Sequence, residues 1–142
     1  MNRSRKAVFL VILLALMLTA CPKASVVRQA AVASQSASIA VQAFQQAEIQ
    51  SFESGVVSVD DHATIQGLLA QVGQVGKTLD SALRSANDNQ SALADVNTAV
   101  AAIDSLNQQG LLHIKNKDIQ AKWTIAMAGA KAALNSIAAM LQ

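Results

Sequence analysis

Residues Ile119 to Leu141 read IQAKWTIAMAGAKAALNSIAAML, and within them Ile119, Trp123, Ala126, Met127, Ala130, Leu134, Ile137 and Leu141 recur at intervals of three and four. Side chains three and four apart share one face of an α-helix, whereas a half-buried strand would alternate every second residue. The stretch therefore predicts a helix with one continuous apolar stripe and a more polar back. Alanine dominates it, which favours the helical backbone and lets neighbouring helices approach closely.

The same spacing extends toward the N-terminus. Leu93, Val96, Val100, Ile103 and Leu106 form a heptad-like seam, with Asp95 and Asp104 off it, and Gly110 marks the expected end of that helix. The segment Leu111 to Lys117 then reads as a connector with an apolar first half, and Asn116 or Lys117 precedes the last helix. Further back, Ile65, Leu69, Val72, Val75, Leu79 and Leu83 make another stripe that stops at Asn87-Asp88-Asn89. Ser58 stands three residues before Asp61, the spacing of a capping hydroxyl and a first-turn carboxylate. Gly73 and Gly76 lie inside this helix, each costing about 1 kcal/mol against alanine, and are expected to mark close packing.

From Ser25 to about Glu53, Val26, Ala30, Ala33, Ala37, Ala40, Phe44 and Ala47 again follow three-four spacing. A helix of that length would run ~40 Å at 1.5 Å per residue, with Gly55 placed to end it. Three to four helical patterns, short connectors and no strand pattern predict an all-α fold, an antiparallel up-and-down helical bundle. The rival arrangement is one long helix with a three-helix hairpin packed along part of it. Residues 26–142 are expected to form a single bundle domain.

The start of the chain obeys different rules. Arg3, Arg5 and Lys6 precede an apolar run from Ala7 to Leu18, followed by Thr19, Ala20 and Cys21. The run holds about a dozen residues, short of the ~20 that cross a membrane core, which suits a secretion signal. Leu18-Thr19-Ala20-Cys21 resembles the lipobox of bacterial lipoproteins: an aliphatic residue, two small residues, then the cysteine. The resemblance covers the leader alone. It implies a signal peptide over 1–20, cleavage before Cys21, and attachment of a diacylglyceryl group to the Cys21 thiol, commonly with a further acyl chain such as palmitate on the new amino group. Residues 21–25 would then be a short lipidated lead-in, with Pro22 fitting the start of a helix.

Loss of the leader would remove three of the eleven basic residues, leaving eight against nine acidic and a net charge of about −1. Such a charge offers no basic face for nucleic acid. Because Cys21 is the only cysteine, an intramolecular disulfide is excluded.

Little else suggests chemistry. His62 and His113 are the only histidines, and neither pairs with a carboxylate one helical turn away in the manner of a Glu-x-x-His metal motif. Asp60-Asp61-His62 reads as a helix first turn. No serine lies in Gly-x-Ser-x-Gly or Ser-x-x-Lys, and Gly73-Gln74-Val75-Gly76 lacks the lysine of a phosphate loop. The sequence thus predicts no enzyme, no cofactor and no metal. Trp123 and Met127, one turn apart, are the candidate face for an apolar ligand or a partner, with plain core as the alternative. Lys115, Lys117 and Lys122 could gather into a small basic spot, and Ala126, Gly129, Ala130 and Ala133 permit close packing within the bundle or against a second copy.

The expectation is a non-enzymatic lipoprotein of the cell envelope, held to the membrane by acyl chains on Cys21 and acting through an envelope protein partner in scaffolding or maintenance. In a two-membrane cell, Pro22 stands where an aspartate-type inner-membrane retention signal would put Asp, which favours the periplasmic face of the outer membrane; otherwise the outer face of the cytoplasmic membrane is expected. The alternatives are an apolar-ligand-binding helical module and a phage-encoded accessory lipoprotein.

Overall fold

The computed structural model describes residues 22–142, with side chains from Ser38 onward, and the signal segment 1–20 and Cys21 lie outside the described residues. Four helices fill it: α1 Pro22–Glu53, α2 Val59–Ser85, α3 Asn89–His113 and α4 Lys117–Leu141. Connectors of only a few residues force each helix back alongside its predecessor. The helices close into a ring in which α1 packs on α4 and α2, and α3 packs on α2 and α4. This is an all-α antiparallel bundle, not a long helix with an appended hairpin. Residues 22–25, the expected lead-in, are helical and form the first described turn of α1. Proline is suited to that turn, where no intrahelical N–H bond is required.

Each described break has a local cause. At the end of α1, Gly55 adopts φ 77°, the left-handed conformation that favours glycine. There its N–H donates to the Phe52 carbonyl (2.9 Å) and that of Val56 to Ser51 (2.9 Å), the paired bonds of a Schellman turn. Ser58 caps α2 by accepting the Asp61 N–H at 3.1 Å, and Asp88 caps α3 by accepting from Ser91 at 2.7 Å. Asn116 caps α4, its side-chain oxygen accepting from both Asp118 and Ile119 at 3.1 Å.

Gly110 does not end α3, which continues to His113 and leaves only Ile114, Lys115 and Asn116 as connector. The glycine has a packing role: a Cβ at Gly110 would run into the indole of Trp123. Trp123 is fully buried, its ring edge-on to Phe44 with centroids 5.4 Å apart. An enclosed tryptophan removes roughly 150–250 Å² from water, worth about 4–6 kcal/mol at ~25 cal/mol per Å². Its Nε1–H has no hydrogen-bond partner among the described residues, which costs about 1–3 kcal/mol and leaves burial the larger effect.

Most described positions of the predicted stripes supply the core, with Val75, Leu83, Leu93 and Val100 only partly buried against it, while the side chains of Val26, Ala30, Ala33 and Ala37 lie outside the described residues. Ile65, Val96, Ile119 and Ile137 are buried, with Leu68, Ala92 and Ala99 added beside the anticipated positions. Ile114, in the apolar half of the α3–α4 connector, also turns into the core. Helix α4 is long and apolar enough to cross a membrane by length and composition, but its apolar stripe is the inner face of the bundle. On its flank, Lys131 donates to both carboxylate oxygens of Asp104 on α3 at 2.7 and 2.8 Å.

Gly129 meets Ala40 across the α1–α4 seam at 3.3 Å from an added Cβ, the close approach expected of the small residues. Gly73 and Gly76 depart from expectation. Among the described residues neither has an atom within 4 Å of an added Cβ, so no packed neighbour there accounts for them.

The contrast predicts opposite signs for the same substitution. Gly110→Ala should lower stability by about 1–3 kcal/mol through overpacking against Trp123, whereas Gly76→Ala should raise it by about 0.5–1 kcal/mol through helix propensity. Urea unfolding followed by circular dichroism measures both.

Candidate functional site

Trp123 and Met127 do not form a ligand or partner face. Both are enclosed, at 0% and 1% exposure, because their stripe on α4 points between α1 and α3 and ring closure covers it. They are core residues. The lysine spot does not assemble either, since Lys115 approaches Asp60 at 3.9 Å and Lys117 donates to Gln120 at 3.1 Å.

The structure instead gathers polar side chains at the end of the bundle where the α1–α2 and α3–α4 connectors meet. Asp61, in the first turn of α2, is buried, and its two carboxylate oxygens accept the backbone N–H groups of Lys115 (2.8 Å) and Asn116 (3.0 Å). In return, the Asn116 side-chain amide donates to the Val56 carbonyl at 3.1 Å. Two connectors far apart in sequence are stitched by one carboxylate and one amide. Charge-assisted bonds of this type are about twice as strong as neutral ones. Gln120 completes the end by donating to the carbonyls of Leu111 and Ile114.

One turn deeper, Glu48 on α1 is fully buried. Its Oε1 lies 2.7 Å from His62 Nδ1, and its Oε2 accepts from Gln66 Nε2 at 3.0 Å. The His62 ring lies flat on Phe52, centroids 3.9 Å apart and planes 8° from parallel. A buried carboxylate is tolerated only when its oxygens are satisfied, and here each has a donor from α2. Chemically the arrangement is a joint between α1 and α2. Among the described residues no three His, Cys, Asp or Glu side chains converge as metal ligands.

The sequence reading gave Glu48 no role and took Asp61 only as a first-turn carboxylate, yet a signal for their burial was present. Glu48 follows Phe44 by four and precedes Phe52 by four, while Asp61 precedes Ile65 by four. Each carboxylate thus continues an apolar stripe, which marks it for burial. What they bond to is set by the closed ring and has no local signature.

The third feature is an open groove of about 660 Å³ along the α1–α2 seam, the thinnest contact in the ring. Val41, Leu69 and Val72 line its sides, Ile103 and Leu134 its floor, and Lys77 stands on its rim. Nearby Asp80 is engaged by Arg84 at 2.9 Å; that hydrogen bond lowers the Asp80 carboxyl below its ordinary value and raises the guanidinium.

Replacing Asp61 by alanine should leave two part-buried backbone donors without their carboxylate acceptors and cost about 1–3 kcal/mol, whereas Asp60→Ala, at an exposed position, should stay within about 0.5 kcal/mol of the parent. Chemical denaturation of the two variants side by side checks the difference. Comparison with known proteins finds no matching family model, no similar curated protein and no similar solved structure.

Proposed function

We propose that this protein is a lipid-anchored, non-enzymatic helical bundle of the bacterial cell envelope, tethered through Cys21 and acting by contact with an envelope protein. The observation that carries the reading is the polarity of the bundle. In an up-and-down ring, Pro22 shares one end with the α2–α3 connector and Leu141, and the stitched connectors form the other. A chain anchored immediately before Pro22 would hold the first end against the membrane and direct the second outward. That outward end exposes Val56 (60%), Val59 (71%) and Leu112 (77%), large apolar side chains in and beside the two connectors. Exposed apolar groups clustered on a rigid end suit partner recognition.

Two or three acyl chains, at ~0.8 kcal/mol per buried methylene, would make the attachment stable. The periplasmic face of the outer membrane is the favoured location in a two-membrane cell, on the strength of Pro22 after the lipobox cysteine. The buried Glu48–His62–Gln66 and Asp61–Asn116 contacts serve this function by keeping the outward end rigid.

Cys21→Ser tests the anchor. The parent should incorporate labelled palmitate, migrate as the shorter processed form and sediment with membranes. The variant should take up no label and keep its leader; equal labelling and processing in both would refute the assignment.

A further inference from the structure

We propose that the groove between α1 and α2 binds a single-chain anionic amphiphile, a free fatty acid, with its aliphatic chain in the slot and its carboxylate at Lys77. The inference stands on the groove itself and is independent of the anchor at Cys21.

Volume and shape select the ligand class. About 660 Å³ falls within the range of small-molecule sites, and the walls are mainly aliphatic. The floor is formed by Ile103 of α3 and Ala130 and Leu134 of α4, so the slot passes between α1 and α2 to the helices behind them. Those floor residues expose only 3–5% of their surface. A partner helix, about 10–12 Å across, would rest on the rim of two helices still in contact. An aliphatic chain about 4 Å across can descend to the floor.

Glycine keeps the slot open. Gly73 and Gly76 line it, and among the described residues an added Cβ at either would meet nothing within 4 Å. Both glycines stand where a larger side chain would occupy the groove, at a cost in helix propensity.

Charge selects the head group. Lys77 lines the rim and has no ion-pair partner among the described residues, in contrast to Lys115, Lys131 and Arg84. Asp80, the acidic residue on the same rim, is paired with Arg84. One uncommitted cation at the edge of an aliphatic slot is complementary to one carboxylate on an unbranched chain.

The test uses the full chain in phosphatidylcholine vesicles, exposed to a diazirine-bearing palmitic acid analogue and, separately, to the corresponding hexadecanol analogue, with adducts mapped by mass spectrometry. Adducts from the acid should concentrate on the groove walls and be displaced by unlabelled palmitate. Gly76→Leu, which fills the slot without touching the core, should lower them about tenfold while thermal unfolding stays unchanged or rises. Lys77→Glu should lower acid labelling about tenfold and leave alcohol labelling within about twofold. Adducts scattered over the surface, insensitivity to Gly76→Leu, or equal loss of both probes in Lys77→Glu would each overturn the proposal.

Discussion

The carboxylate of Asp61 does what no apolar contact in this bundle can do, because it fixes two connectors in direction as well as in distance. A hydrophobic stripe tells a helix which face to bury but allows it to slide along its neighbour by a turn at modest cost. Two hydrogen bonds from Asp61 to Lys115 and Asn116, returned by Asn116 to Val56, hold the start of α2 level with the start of α4. Glu48 repeats the device one turn deeper, tying α1 to α2 through His62 and Gln66. With aromatic side chains few and alanine abundant, these directional contacts supply the register that bulky interlocking side chains would otherwise provide.

Below that end the helices are not held equally. Along α4, small residues and Trp123 bring α1 and α3 close: Gly129 admits Ala40 and Gly110 admits the indole. Along the α1–α2 seam, Gly73 and Gly76 meet no side chain among the described residues and line a groove. Glycine therefore has two opposite uses in one small domain, admitting a neighbour in one place and omitting one in another. The stitched end limits how far the open seam can spread, since α1 and α2 are joined there by the Glu48 pair and the Schellman turn at Gly55.

The helical class, the breaks and most of the described inner faces were legible in the chain because three-four spacing, Ser58, Gly55 and the Asn87–Asn89 break are local signals. Two local signals pointed the wrong way for one reason. Gly110 looked like a helix stop, and Gly73 and Gly76 like close contacts, but a glycine inside a helix says only that a side chain is absent; the tertiary neighbour decides why. Trp123 and Met127 lay on the stripe of the last helix, where an exposed ligand face and a covered core have the same spacing, and only ring closure separates the two. The polar joint was half visible. Glu48 and Asp61 continue apolar stripes, but their partners lie on other elements and leave no mark on nearby sequence.

For the proposed tethered role, the end stitched by Asp61 and Glu48 would have to present a fixed surface. Such a design depends on the connectors behaving as part of the core. Amide hydrogen exchange on the native protein, read at Lys115 and Asn116, addresses this most directly, because surface connectors normally exchange rapidly. If Asp61 fixes that end, both amides exchange as slowly as those of the core turns around Val96 and Trp123. Exchange of the Lys115 and Asn116 amides at the rate of the exposed α2–α3 connector would contradict it.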